Sequence, residues 1–288
     1  MKILYPVVIF LLFLIIVQNS SAGSQVYPVV AHLNVRSQPS IQSRIISRLT
    51  NGKWVQVRKT HGDWTEVSLN SGDTGFVFNK LVSDLWIKIW KKERKLLLMS
   101  GSALLKTYPV GLGFNPNDDK IKRGDGSSPI GRFFVCEMLD NPVPAKKYGA
   151  RSIRISYPGI EDARRGLKDK FISKSEYLKI VKQIDKAQMP LQNTLLGGSI
   201  RIHGGGAGSD WTLGCIAMND DDIIELYSKL PSRNTLVEIY QGEAEDRKIN
   251  KKKYLTGSRQ PFNKNGHSSD GQNYQVGTSF NCNRRGFP

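Results

Sequence analysis

Apolar residues come in short alternating runs along most of the chain, with turn formers between them. In the first part, Val29 to Arg36 reads as one extended segment. Ile45 to Leu49, Trp54 to Val57, Trp64 to Val67 and Gly75 to Val77 follow it. Pro39-Ser40, Asn51-Gly52, Gly62-Asp63 and Gly72-Asp73 punctuate the runs, and this spacing predicts a small all-β barrel over residues 25–84. A second β-rich unit is expected over residues 86–241. Trp86 to Trp90 and Leu96 to Met99 alternate about a polar hairpin turn, Lys91 to Arg94, and further strands are expected at Leu104 to Val110, Arg132 to Glu137 and Leu236 to Tyr240.

Two helices interrupt this pattern. Ser173 and Glu176 form a capping box ahead of an apolar stripe at Tyr177, Ile180, Val181 and Ile184, and Pro190 marks the end. Asn219 is the expected N-cap of the second helix, with Asp220, Asp221 and Asp222 in its first turn and a buried face of Ile223, Leu226, Tyr227 and Leu230. The aspartates read as helix-terminal charges, not metal ligands. From residue 242 to 288 the apolar pattern fades into a basic, polar stretch expected to be a disordered, solvated tail.

The fold class predicted is therefore mainly β with short helices, a small barrel followed by a larger β-rich domain. Two features of composition bear on where such a protein works. Lys2, the apolar run Val7 to Val17 and the small residues Ser20 and Ala22 make a secretory signal over residues 1–22. The alternative is an uncleaved anchor, but the run falls short of the ~20 residues that span a bilayer. Export implies a periplasmic or extracellular location. The formal charge of +17 then points to the anionic polymers of a cell envelope as partner, and not to nucleic acid. The three cysteines, Cys136, Cys215 and Cys282, are too few for a disulfide scaffold, and at least one is left over from pairing within the chain. Pairing of Cys136 with Cys282 is open.

The leftover thiol directs attention to residues 199–218. This stretch reads as a strand ending at His203, a loop with glycines at 204, 205, 206 and 208, then Gly214-Cys215 entering a second apolar segment. A thiol nucleophile needs a base to form the thiolate and donors to hold an oxyanion. His203, twelve residues before Cys215, is the candidate base. The backbone N–H groups of Gly214 and Cys215 are the candidate oxyanion donors. A buried filler cysteine and a structural histidine are the plainer readings. Zinc would need three or four ligands, and the other histidines, 32, 61 and 267, lie outside this unit. This chemistry calls for no cofactor and no metal.

The segments Leu33 to Ser40, Gly62 to Val67 and Gly75 to Val77 resemble the bacterial SH3-like cell-wall module. His203-Gly204 with Thr212-Leu213-Gly214-Cys215-Ile216 resembles the L,D-transpeptidase catalytic domain of the YkuD type. Gly124-Asp125, Ser128 to Phe133 and Ile155 to Pro158 with Asp162 and Arg164-Arg165 follow that family's order. The resemblance implies that Cys215 is the nucleophile and His203 the base, with the Gly204 carbonyl orienting the imidazole. Arg201, Thr212 and Tyr157 are the candidate substrate contacts. Arg154 shares with Arg201 the reading as a carboxylate binder, against plain surface solubility.

The implied substrate is peptidoglycan, cleaved between the third and fourth stem residues through a thioester. The acyl acceptor would be an amine of another stem, a lipoprotein or a D-amino acid. Water as acceptor would make the enzyme a carboxypeptidase or a hydrolase of cross-links. Leu213 and Ala217 depart from the family pattern, which commonly has His and Arg there. A papain-like amidase is disfavoured by chain order, since its Cys precedes its His. A non-catalytic wall-binding protein is the remaining alternative.

Overall fold

The computed structural model describes residues 24–142, 148–231 and 234–256. The expected signal over 1–22, the chain beyond 256 and the Cys136–Cys282 pairing lie outside the described residues.

Alternation places the core of the first module as expected. Strands β1 (Gln25–Pro28), β2 (His32–Arg36), β3 (Ile45–Thr50), β4 (Val55–His61), β5 (Trp64–Ser68), β6 (Thr74–Phe78) and β7 (Val82–Ser83) pair in the order β3-β2-β6-β5-β4-β1-β7. Leu33, Val35, Leu49, Val55, Val67 and Val77 point inward from alternate positions and pack together. The segment Val29 to Arg36 is divided: residues 29–31 bend between β1 and β2.

In the second domain, β8 (Leu85–Trp90), β9 (Lys95–Ser100), β10 (Ala103–Pro109), β11 (Gly131–Leu139), β12 (Ser152–Ile155), β13 (Arg201–His203), β14 (Ile216–Ala217) and β15 (Leu236–Tyr240) form one sheet in the order β10-β9-β8-β15-β11-β12-β13-β14. The last strand, β15, lies between β8 and β11, parallel to β8. Gly111, just past β10, makes a two-way backbone bridge to Ala217 of the far edge strand. The two edges of the sheet are thus drawn together, and one core fills the interior. The protein is mostly β, a small all-β module followed by a larger β-rich domain, as the sequence predicts.

Helices pack on the sheet as α1 (Ile160–Lys168), α2 (Lys174–Asp185), α3 (Asp220–Lys229) and α4 (Glu243–Thr256). The capping box at Ser173 forms, with Ser173 Oγ accepting from Glu176 N–H and the Glu176 carboxylate accepting from Ser173 N–H. Helix α2 ends at Asp185, ahead of Pro190. Helix α1 was not expected: it is short and strongly charged, and its fully buried positions are Asp162, Ala163 and Gly166, with Leu167 packed alongside. A methyl group at Gly166 would lie 2.7 Å from Leu196 Cδ2, so the small residue sets the packing distance.

Helix α4 corrects the expectation of a solvated tail from residue 242. It is held by polar contacts, not by an apolar face: Asp246 Oδ2 accepts from Lys88 Nζ at 2.8 Å and from Trp90 Nε1 at 3.1 Å. Hydrophobic periodicity cannot show an anchor of this kind. Among the described residues no helix is long and apolar enough to cross a membrane.

The two units meet in an aromatic seam. Tyr27, Trp54 and Trp86 stack edge to face, with centroids 4.8 and 5.9 Å apart. The buried Tyr27 hydroxyl donates to Leu85 O and accepts from Leu236 N–H, and burial pushes its pKa well above the ordinary phenol value. Asn51 donates to Asn234 O and Asn234 to Val29 O. A cavity of about 320 Å³ opens beside this seam, between Thr50-Asn51-Gly52 and Phe134, Ile160 and Leu236.

Replacing Tyr27 with Phe takes away the hydroxyl that the buried Leu236 N–H and the part-buried Leu85 carbonyl share. The expected loss is roughly 1–3 kcal/mol, read as a lowered midpoint in denaturant titration. An unchanged midpoint would show that the seam does not depend on this hydroxyl.

Candidate active site

Strands β13 and β14 pair in parallel, with Ile202 opposite Ile216 and His203 opposite Ala217. Ile202 and Ile216 both face the core. By alternation Arg201, His203, Cys215 and Ala217 leave the sheet on the other face. Strand β13 ends at His203, and the Gly-rich loop returns the chain to Cys215, the residue just before β14.

His203 is 2% exposed. Its Nδ1 lies 2.6 Å from the carbonyl oxygen of Gly204. A carbonyl only accepts, so Nδ1 carries a proton, and in the neutral ring the lone pair is then on Nε2. Tyr148 and Trp211 hold the ring edgewise from two sides, at 5.3 and 5.8 Å between centroids.

The Gly204 carbonyl is itself fixed from helix α3. Asp220 Oδ1 accepts from Gly205 N–H at 3.1 Å and from Ala150 N–H at 2.8 Å. Asn219 Oδ1 accepts from Ala207 N–H. The N-cap residue and the first aspartate therefore bind the loop of the histidine and do not cap their own helix by side chain. A methyl group on Gly204 would fall 2.0 Å from Asp220 Oδ1. Asp210 anchors the other end of the loop. It takes a two-pronged bond from Arg94 and accepts from Leu112 N–H. In the sequence Arg94 reads only as part of a polar hairpin turn, and its pairing with Asp210, far away in the chain, leaves no local signal.

Cys215 is half-buried, and its Sγ lies 3.8 Å from Ser199 O. Its carbonyl accepts from Thr212 Oγ1 at 2.7 Å and Ser128 Oγ at 3.3 Å. Thr212 Oγ1 also accepts from Gly214 N–H at 3.1 Å. This corrects two expectations. The Gly214 amide is committed to Thr212 and is not turned toward an oxyanion, and the buried Thr212 shapes the turn into Cys215 instead of facing a substrate. Tyr157 is likewise corrected: it is fully buried, with its hydroxyl donating to Leu196 O at 3.0 Å. Burial pushes its pKa well up, and no surface of it is left for a substrate.

Arg201 is also mostly occupied. It is 4% exposed, donates to Ser152 Oγ and Glu137, and lies 5.4 Å over the Tyr148 ring. Arg154, on the next strand, shares the Glu137 carboxylate at 3.3 Å. Burial and the adjacent Arg201 lower its pKa from the usual guanidinium value, against the pull of Glu137.

The loop Gly124 to Gly131 closes a third side. Ser128 bridges Gly113 N–H and Cys215 O, and Lys91, fully buried, donates to the carbonyls of Ser128 and Asp118. The expected hairpin-turn lysine is thus an internal tie. Asp125 accepts from Lys120 and from the N–H groups of Ile121, Lys122 and Ser127. Burial opposes its charge, but the ammonium and the three amides together hold its pKa below the ordinary carboxylate value. Among the described residues, no group of three or more His, Cys, Asp or Glu is placed to hold a metal.

The profile of the L,D-transpeptidase catalytic domain matches residues 84–239, more than half of the chain. The chain belongs to the L,D-transpeptidase family. A bacterial SH3 domain matches residues 31–83. No curated protein matches this L,D-transpeptidase-family chain. Similar solved structures include Bd1075 of Bdellovibrio bacteriovorus, at 20% identity over 60% of this chain and 56% of that one, TM-score 0.39. The helical cell shape determining protein Pgp2 from Campylobacter jejuni is similar at 17% identity over 56% and 49%, TM-score 0.37. An L,D-transpeptidase from Mycobacterium smegmatis is similar at 10% identity over 72% and 76%, TM-score 0.35. The chain spans about half the length of the first two.

Two expectations follow. In Asp220→Ala the Gly205 and Ala150 amides lose their acceptor. Their hydrogen exchange should accelerate by roughly tenfold or more, and the Nδ1 proton of His203 should broaden in NMR spectra. Unchanged exchange would free the loop from dependence on Asp220. For Asp125 the folded pKa lies below the unfolded value of about 3.9. Its stabilisation is complete above that value and is lost as the pH falls through the lower folded one. Melting temperatures of Asp125→Asn should therefore decline less steeply than wild type below about pH 4.

Proposed function

We propose that this protein is an exported peptidoglycan L,D-transpeptidase, with Cys215 as nucleophile and His203 as base. The observation that carries this is the 2.6 Å contact of His203 Nδ1 with Gly204 O, on the strand beside Cys215. It gives the base one tautomer, with Nε2 ready to take a proton.

Nε2 removes the Sγ proton, and the thiolate attacks the carbonyl of the third stem residue. The Cys215 amide is the backbone donor proposed for the oxyanion, since Gly214 is committed elsewhere. The imidazolium protonates the departing D-residue amine, leaving a thioester on Cys215. An acceptor amine then loses its proton to Nε2, attacks the thioester and regenerates the thiol.

Leu213 and Phe114, at 68% and 56% exposed, present apolar surface on the two segments that meet at Thr212, where Phe114 N–H donates to Thr212 O. An acceptor strand covering them would exclude water from the thioester. This supports transfer over hydrolysis. The SH3-like module, over residues 25–84, would hold the enzyme on the wall, and the signal over 1–22 would deliver it to the periplasm or cell surface.

The test is incubation of the mature protein with defined tetrapeptide muropeptides, followed by mass spectrometry. Cross-linked dimers and a thioester adduct are expected, both lost in Cys215→Ala, with kcat reduced roughly 10²–10⁴-fold in His203→Gln. Shortened stems alone would make the enzyme a hydrolase. Unchanged products in Cys215→Ala would overturn the assignment of the nucleophile.

A further inference from the structure

Three residues stand in one row across three adjacent strands, and Cys215, the residue just before β14, continues the row. Glu137 of β11 is opposite Arg154 of β12, and Arg154 is opposite Arg201 of β13. Continuing the parallel register of Ile202 with Ile216 by one residue brings Arg201 opposite Cys215. The row runs carboxylate, guanidinium, guanidinium, thiol, all on the face that carries His203.

Two guanidinium groups share one carboxylate, so the row holds one positive charge in excess. Its two arginines are not equivalent. Arg201 has Ser152 Oγ at 2.9 Å, Glu137 at 2.7 Å and the Tyr148 ring, and is nearly fully enclosed. Arg154 is the more exposed, with 20% of its side chain open to solvent. Its contact to Glu137 is long, at 3.3 Å, and among the described residues Nη1 donates only to the thioether of Met189, a weak acceptor. Its Nε is buried with no hydrogen-bond partner among the described residues. A guanidinium has five donors in a planar fork suited to a carboxylate, and leaving them unmatched in a partly buried site is costly. Neighbouring strands are 4.7–4.9 Å apart, so Arg154 sits about 10 Å across the sheet from the strand of Cys215.

We infer that Arg154 is the specificity-determining residue that binds a carboxylate of the acyl-donor stem, while the donors of Arg201 are taken up within the fold by Glu137 and Ser152. This rests on the reading of Cys215 as the thiol that is acylated. The carboxylate comes either from the C-terminal D-residue that leaves or from the side chain of the third residue. Both present the same planar oxygen pair, and separate amidation tells them apart.

The experiment measures binding, so it does not depend on turnover. Cys215→Ala protein is titrated calorimetrically with three tetrapeptides: unmodified, amidated at the C-terminus, and amidated at the side-chain carboxylate of the third residue. One amidated peptide should bind about 10- to 100-fold more weakly than the unmodified one, as expected for a charge-assisted pair. Adding Arg154→Gln should weaken the unmodified peptide to that level and abolish the discrimination. Arg154→Lys should restore part of it. Glu137→Gln releases both guanidinium groups from their competitor and should tighten the unmodified peptide several-fold, which a merely structural role for Arg154 would not produce.

Equal binding of all three peptides, or discrimination that survives in Arg154→Gln, would overturn the inference, as would weaker binding in Glu137→Gln protein of unchanged melting temperature. Discrimination that depends on Arg154, in an enzyme that forms no thioester, would uphold the carboxylate site while overturning the nucleophile.

Discussion

The imidazole of His203 is oriented by the carbonyl of the very next residue, and that is a demanding arrangement. A carboxylate partner would come from another part of the fold with its own flexible stem. Here the partner is backbone, so the peptide unit between Gly204 and Gly205 must be held in one orientation. Asp220 does this by accepting from Gly205 N–H, the other end of that same peptide unit. The space needed leaves no room for a side chain at residue 204. Helix α3 therefore serves the site twice: its apolar face fills the core, and its first turn fixes the loop that orients the proposed base.

The same logic recurs around the thiol. Three loops from distant parts of the chain meet there, and polar ties hold them where an apolar core does not reach. Arg94 and Asp210 join the β8–β9 turn to the Gly-rich loop. Lys91 joins that turn to the loop carrying Ser128, and Ser128 reaches the Cys215 carbonyl. A buried ammonium is unfavourable unless its donors are matched, and two carbonyls match it here. Such ties are directional, so they constrain orientation as well as distance, which dispersion contacts between loops would not.

The strand pattern was legible in the sequence because alternation is a local property. Each of the main runs from Ile45 to Met99 became a strand with its apolar side inward. Helix α2 was legible for the same reason, through its capping box and stripe. Helices α1 and α4 were not. One is nine residues long and packs through the small Gly166 and Ala163, the other is held through Asp246, and neither presents a long apolar stripe. At the site, the thiol and imidazole stood out because the loop between them is short. The roles of Asp220, Lys91 and Gly214 did not, because each depends on a partner brought near only by the fold. An aspartate in a first helical turn reads as a charge on the dipole, and nothing local indicates that its carboxylate spans the gap to residue 150.

Ala217 and Leu213 are where the chain departs from the pattern it resembles, and the sheet register gives the first a physical context. Ala217 lies opposite His203, fully buried, and bridges Gly111 through both backbone groups. A long cationic side chain at residue 217 would have to emerge from this enclosed pairing, beside an imidazole already flanked by Tyr148 and Trp211. The positive charge on this face comes instead from β12 and β13, through Arg154 and Arg201. Strand alternation fixes the consequence. Charge supplied from residue 217 would arise in register with His203, whereas Arg201 and Arg154 stand in register with Cys215 and extend away from the base. A substrate anion held there would lie across strands β12 and β13, on the side of the sheet away from the residue-217 position.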